Sequence, residues 1–276
     1  MELTRIAICQ KDAVPGDKEK NLEEMARVVE GTDADLYVFP ECFVTGYMIR
    51  DDVHDLAEPL DGPAANFMSS LARDRGVCVV AGMPERSPEI RGLIHNSAFV
   101  AYPNGNVYSY RKIYLPNFGP FEEKLYYTGG QELPLFTLGG LRFGISICYD
   151  LFFPEIAKHY ALQGADLFLN LAASPTMSRR SFEAVLPARA VENTVFMAFS
   201  NNVGLQDNME FWGGSMVMGP KGNVLGSAGV LERTVLVTEM CMEDIMVARR
   251  YRPTIRDTRP SMLRALQGLR PDPRSR

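Results

Sequence analysis

The chain is poor in the residues that build metal centres and disulfide frameworks. Its 276 residues include only three histidines, His54, His95 and His159, too scattered for a His-rich metal site. The five cysteines, Cys9, Cys42, Cys78, Cys148 and Cys241, are odd in number and none share CxxC spacing. That argues against a disulfide framework and against structural zinc. No apolar run approaches the ~20 residues that span a bilayer. The net charge is −5 and no basic run precedes the tail, so neither a membrane nor a nucleic acid is an expected partner. The first ten residues show no basic segment followed by an apolar one, as a signal peptide would. The expectation is a cytoplasmic protein.

What is present is apolar material for a large core. The hydrophobic fraction is 46% and the charged fraction 23%, which excludes disorder, collagen and coiled coil. The chain also repeats itself once. Arg5-Ile6-Ala7-Ile8 resembles Arg142-Phe143-Gly144-Ile145, and Ala34-Asp35-Leu36-Tyr37 resembles Ala165-Asp166-Leu167-Phe168. Ala72-Arg73 followed by Val77–Val80 resembles Ala188-Arg189 followed by Val195–Ala198, and Asn104–Val107 resembles Lys221–Val224. Each match is short, but all four occur in the same order.

Each half reads strand, helix, strand, helix, strand, then a hairpin. The helices are expected over Asp17–Glu30, Pro63–Arg75, Pro154–Gln163 and Ser181–Asn193. Pro63 and Pro154 stand where a first helical turn tolerates proline. The strands are short and apolar on both faces, as in sheets covered on both sides. Asn104-Gly105 and Lys221-Gly222 are hairpin-turn signals. The fold class is therefore α/β, a four-layer α-β-β-α sandwich with two pseudo-equivalent halves. One domain is expected over residues 1–263, with a C-terminal arm from about Arg249 and a flexible tail over 264–276. The segment from Pro116 to Thr137 shows no clear periodicity, and long irregular loops in compact domains are usually functional.

Three residues at strand ends can do chemistry. Cys148 closes the strand-like Phe143–Ile147 before a helix begins near Pro154, where free backbone N–H groups can hold an oxyanion. The plain alternative is a buried core cysteine. A thiol needs a base, yet His159 on a helix is expected to point away and His54 lies in a polar, solvated run. Glu41 follows the apolar Tyr37–Pro40. A carboxylate there is either raised toward the pKa of a general base or turned to solvent. Lys112 closes Val107–Arg111 and can hold a carboxylate or a developing negative charge; otherwise it is a surface lysine.

Phe39-Pro40-Glu41, Arg111-Lys112-Ile113-Tyr114-Leu115-Pro116 and Ile147-Cys148-Tyr149-Asp150 occur in the order Glu, Lys, Cys. Together with Thr45-Gly46-Tyr47, Phe121-x-Glu123, Phe153-Pro154-Glu155 and Gly213-Gly214-Ser215, they resemble the nitrilase (carbon–nitrogen hydrolase) superfamily. The resemblance runs from Arg5 to about Pro260 and implies an α-β-β-α sandwich, in agreement with the repeat. It implies Cys148 as nucleophile, Glu41 as general base, Lys112 as oxyanion stabiliser and Glu123 as a second glutamate that positions substrate. Glu122 is expected to be only its neighbour. No cofactor is implied. Tyr149-Asp150 after the cysteine resembles the amidase branches more than the Trp-Glu of nitrilases proper.

The implied activity is hydrolysis of a small amide, or an N-carbamoyl amine, to acid and ammonia. A nitrile hydrolase and a non-catalytic scaffold are the alternatives, the latter disfavoured by the intact set of four residues. Tyr47, Phe118, Tyr149, Ala173 and Trp212 are expected near the substrate by position. Arg179-Arg180 reads either as a substrate-carboxylate site or as a solvated basic pair. The resemblance also implies a homodimer or larger homo-oligomer, with the arm docked on a partner.

Overall fold

Ala34-Asp35 and Ala165-Asp166 mark the same corner in two halves of the chain. The computed structural model describes residues 3–267. In it the Asp35 carboxylate accepts the Arg5 N–H at 2.8 Å. The Asp35 N–H donates to the Arg5 carbonyl and its own carbonyl accepts the Cys78 N–H, both at 2.9 Å. Asp166 repeats the pattern with Arg142 and Phe196, at 3.1 Å for the carboxylate and 2.8 and 2.9 Å for the backbone. Each aspartate thus ties together the starts of three neighbouring strands.

The first half runs β1 (Leu3–Gln10), α1 (Lys18–Gly31), β2 (Leu36–Val38), α2 (Val53–Leu56), α3 (Pro63–Arg75), β3 (Cys78–Arg86), β4 (Ile94–Ala101), β5 (Val107–Arg111) and α4 (Glu123–Tyr126). The second runs β6 (Phe136–Leu138), β7 (Leu141–Ile147), α5 (Pro154–Leu162), β8 (Leu167–Ala172), α6 (Arg179–Asn193), β9 (Phe196–Asn201), β10 (Val203–Gln206), β11 (Met209–Trp212), β12 (Met216–Met218), β13 (Val224–Ser227) and β14 (Thr234–Cys241). The arm holds α7 (Glu243–Tyr251), α8 (Thr254–Asp257) and α9 (Pro260–Gln267).

One sheet has the order β14-β1-β2-β3-β4-β5 and the other β6-β7-β8-β9-β12-β13. In each, the three central strands are parallel and both flanks antiparallel. The repeats therefore correspond strand for strand in order and direction, and the hairpin matches fall in the equivalent β4–β5 and β12–β13 turns. Local chemistry starts the helices where expected. Asp17 caps α1 by accepting the Lys20 N–H. Pro63 opens α3, and Gly76 ends it in the left-handed region at φ 68°. Pro154 opens α5, and α6 begins two residues before the expected Ser181.

Alternation along β1 separates the layers. Ile6 and Ile8 join the core between the sheets, while Ala7 and Cys9 pack outward with Met25 and Val29 of α1 and Met68 of α3. Helices α5 and α6 cover the second sheet through Ile156, Tyr160, Phe182 and Leu186. The result is the four-layer sandwich. The segment 116–137 is not wholly irregular, since it contains α4 and the edge strand β6. The arm lies partly on its own chain. Helix α8 packs on α6, Ile255 reaches the core, and Arg249 donates to the Ala165 carbonyl at 3.1 Å. Helix α9 begins inside the expected arm and continues beyond Leu263; residues 268–276 of the expected tail lie outside the described residues. Among the described residues no helix is long and apolar enough to cross a membrane.

The chain leaves the parallel strands at one end of the sandwich, where open α/β sheets collect their functional groups. The exit of β2 depends on a glycine. A Cβ on Gly82 of β3 would lie 2.3 Å from the Cys42 nitrogen and 2.6 Å from the Glu41 Cα. Gly82→Ala should therefore displace the Pro40–Cys42 turn and cost about 1–3 kcal/mol by overpacking. A urea midpoint equal to that of the parent would show that the turn has room to give.

Candidate active site

Four chain exits converge on one buried carboxylate. Glu41 follows β2 and is fully buried, so its charge must be partnered. Its Oε1 accepts from Lys112 Nζ at 2.7 Å and from Asn96 Nδ2 at 2.8 Å. Its Oε2 accepts the Ala173 N–H at 2.7 Å. Its backbone carbonyl is held by Asn202 Nδ2 at 2.8 Å. These partners come from the end of β5, from β4, and from the exits of β8 and β9.

Lys112 is also fully buried. Its second acceptor is Glu123 Oε1 at 2.7 Å, and Tyr47 Oη donates to the same oxygen at 2.8 Å. Burial alone would favour a neutral amine, but the charges of Glu123 and Glu41 outweigh it and hold the ammonium well above its usual range. An ammonium has three N–H donors, and the two carboxylates take two of them. Burial, opposed by Lys112, pushes the Glu123 carboxyl from its ordinary 4.5 up to about 7. Glu123 Oε2 is buried without a hydrogen-bond partner, an acceptor available to a bound N–H.

Cys148 opens a 3-10 turn, Cys148–Phe152, straight from β7. Its φ of 47° is left-handed for a residue that is not glycine, a conformation that costs about 1–2 kcal/mol. Asp150 holds the turn in place. Its carboxylate accepts the Ile147 N–H at 3.0 Å, the Tyr114 N–H at 2.8 Å and the Tyr110 hydroxyl at 2.7 Å. Tyr110 and Tyr114 flank Lys112 in sequence, so Asp150 ties the thiol's turn to the segment that carries the lysine. Burial raises Asp150 from 3.8 to about 6. Burial first, then the Glu41 charge, pushes the Cys148 thiol well above its ordinary value, against Lys112 and the Ala173 N–H. The resting group is a neutral thiol, which needs a base in order to attack. The first N–H groups of the turn have no intrahelical acceptor.

Beside Cys148 lies a cavity of about 210 Å3. Phe118, Phe121, Tyr149, Phe152 and Phe182 line it; Phe118–Tyr149 and Phe152–Phe182 meet edge to face, and Tyr149–Phe152 is a tilted pair between them. Ser178 and Ser181 supply polar wall.

Of the residues singled out in sequence, Glu41, Lys112 and Glu123 form one hydrogen-bonded cluster with Cys148 in its field. Phe118 and Tyr149 line the cavity. Tyr47 instead holds Glu123, and Ala173 contributes a backbone N–H, its side chain being buried. Trp212 does not line the cavity. It is buried against Phe199 and donates from Nε1 to Ser174 Oγ at 3.2 Å, bracing the loop that carries Ala173. Glu122 is exposed, as are His54 and His159, and His95 binds the Thr128 carbonyl at 2.7 Å. Arg179 pairs with Glu183 at 2.7 Å and stacks over Trp212; Arg180 is exposed.

Sequence reasoning missed Asn96, Asn201 and Asn202, and it read Asp150 only as a marker of the amidase branches. The available signal was polar side chains beside wholly apolar strands, since buried amides and carboxylates demand partners. Asn201 Oδ1 accepts the Ser174 N–H at 2.8 Å, so the asparagine pair at the end of β9 braces both the Ala173 loop and Glu41.

The chain matches the carbon-nitrogen hydrolase family model over residues 5–250. It is 34% identical to a "Hydrolase in pqqF 5'region" from Pseudomonas protegens, over 94% of this chain and 90% of that one. It is 31% identical to an (R)-stereoselective amidase from a Pseudomonas species, over 98% and 96%. An amidase from a Nesterenkonia species superposes with a TM-score of 0.83 at 31% identity, over 95% and 96% of the two chains. Another structure of that amidase carries the acetamide moiety of fluoroacetamide covalently on its active-site cysteine.

Removing the cation from this cluster strands two buried carboxylates. Lys112→Met should cost about 3–5 kcal/mol in unfolding free energy, with most of it restored by adding Glu41→Gln and Glu123→Gln. A single variant as stable as the parent in urea would show that the three charges are not coupled. The raised carboxyl gives a second expectation. Folded Glu123 binds its proton up to about pH 7, whereas the unfolded group lets go near 4.5. Its stabilising contribution is complete below pH 4.5 and is lost as pH rises through 7. Glu123→Gln should flatten the upper part of this decline, leaving the smaller fall from Asp150 between 3.8 and about 6. Parallel stability profiles for parent and variant between pH 6 and 7.5 would contradict it.

Proposed function

The chain belongs to the carbon–nitrogen hydrolase family of the nitrilase superfamily, which acts on C–N bonds other than peptide bonds, and on that premise we propose that it hydrolyses a small amide to a carboxylic acid and ammonia through a thioester on Cys148. Residues 1–263 act as one hydrolase unit in this reading. The observation that carries it is the buried Lys112 ammonium, shared between Glu41 and Glu123 with one donor left over, in the field of a neutral thiol.

The chemistry follows from those positions. Glu41 takes the Cys148 proton as Sγ bonds to the amide carbon. The charge that develops on the carbonyl oxygen is met by the third Lys112 N–H and by the backbone N–H of Tyr149. Glu123 Oε2 accepts an N–H of the amide and orients it. The C–N bond breaks as Glu41 passes its proton to nitrogen, and ammonia leaves. Glu41 then draws a proton from water as its oxygen attacks the thioester carbon, and returns that proton to Sγ as the carbon–sulfur bond breaks, which releases the acid and restores the thiol. The raised thiol suits this sequence, because the proton is handed over only as the carbon–sulfur bond forms. The covalent acetamide on the cysteine of the Nesterenkonia amidase supports the same atom as nucleophile.

Ammonia release from a panel of aliphatic amides, N-carbamoyl amines and nitriles tests the proposal. Cys148→Ala should abolish release and Glu41→Gln should lower it by about 10²–10⁴-fold, while His159→Ala leaves it unchanged. Release that survives in folded Cys148→Ala would overturn the mechanism. Silence across the panel, with no acyl adduct on Cys148 by mass spectrometry, would favour a scaffold. Turnover of nitriles alone would move the chain to the nitrile-hydrolysing branch.

A further inference from the structure

We infer, resting on the amide-hydrolase reading above, that the acyl group this site accepts is uncharged and apolar, and that an acyl group bearing a carboxylate is excluded. The walls of the cavity beside Cys148 carry the inference. No charged side chain lines it. Besides Cys148, the wall residues with polar side chains are Tyr149, Ser178 and Ser181, whose neutral hydroxyls cannot neutralise an anion, and phenylalanines and prolines make up the rest.

The cations of the flanking segments do not line the cavity, and most face partners of their own. Arg179 is paired with Glu183 at 2.7 Å and lies over the Trp212 ring. Arg50 faces Asp207 at 3.5 Å. Arg189 is spent on the Leu151 carbonyl and Glu192, both at 2.9 Å. Arg180 is exposed and does not line the cavity. The basic pair in the sequence therefore offers no carboxylate clamp.

The reacting centre opposes an anion as well. Lys112 is one positive charge set between two carboxylates, Glu41 and Glu123. A third carboxylate held in the adjoining cavity would be desolvated against aromatic walls with no counter-ion and repelled by this pair. A neutral acyl chain meets neither cost and gains apolar contact with Phe118, Phe121, Phe152 and Phe182.

The test compares two amides of matched shape on the purified protein. One is glutaramate, the half-amide of glutaric acid; the other replaces its carboxylate with an isopropyl group. The neutral amide should win in kcat/KM on the order of 100-fold. Ser181→Arg places a cation on the cavity wall from an exposed position of α6, and should narrow that ratio by about 10-fold or more through a gain for glutaramate. Equal or better turnover of glutaramate by the parent would overturn the inference while leaving the amidase intact. An unchanged ratio in folded Ser181→Arg would also overturn it, by showing that the acyl group sits elsewhere. No ammonia from either amide or from any other amide in the panel, with Cys148 unmodified, would remove the underlying reading and the inference with it.

Discussion

The structure around the site depends on one constraint, a lysine ammonium that has no water to solvate it. Lys112 is fully buried, and its charge survives only because Glu41 and Glu123 lie at hydrogen-bonding distance on two sides. Each carboxylate in turn would be untenable without the lysine. The surrounding polar groups follow from this mutual need. Asn96, the Ala173 N–H and Asn202 take up the remaining capacity of Glu41, and Tyr47 fixes Glu123. Burial first, and then the Glu41 charge, keep the Cys148 thiol neutral, and burial opposed by Lys112 raises the Glu123 carboxyl to about 7.

Such a cluster cannot be built by one element. Its members leave β2, β5, β7, β8 and β9, from both sheets, and they meet because every parallel strand ends on the same side of the sandwich. The duplicated scaffold supplies that arrangement twice, with the Asp35 and Asp166 corners fixing the starts of the strands in the same way. The strand exits do not share the symmetry. After β2 the chain makes a tight turn over Gly82 and presents a carboxylate, whereas the equivalent exit of β8 offers the Ala173 N–H. Backbone symmetry places the exits, and divergence at them produces unlike groups that complement one another.

Local strain marks the same places. Cys42 and Cys148 are both non-glycine residues in the left-handed region, each at a strand exit. Such conformations persist where surrounding bonds over-determine them. For Cys148 those bonds belong to Asp150, which joins the Cys148 turn to the β5 exit through Tyr110 and Tyr114. Asp150 touches no reacting atom in the proposed chemistry; it sets the spacing between the residues that do.

The sequence by itself determined the class of the fold and the identity of the charged core. Strands apolar on both faces, helices opened by Asp17, Pro63 and Pro154, and four short matches in the same order specify two similar halves and a covered pair of sheets. These are local signals, carried by periodicity and by residues with special backbone demands. Glu41, Lys112 and Cys148 were legible through short motifs at strand ends, and Glu123 through the family resemblance. Tertiary structure alone decided what surrounds them. Asn96 and Asn202 carry no local signal of their partners, because a buried amide shows its need for a hydrogen bond but not where the bond goes. Trp212 shows the same limit. Its place before two glycines pointed to a pocket wall, yet packing on Phe199 and a bond to Ser174 turn it into a brace. Arg179, legible as a free cation, is instead committed to Glu183 and that indole. Whether a charge is available to a ligand depends on what lies within a few ångströms of it, and that is a property of the folded chain.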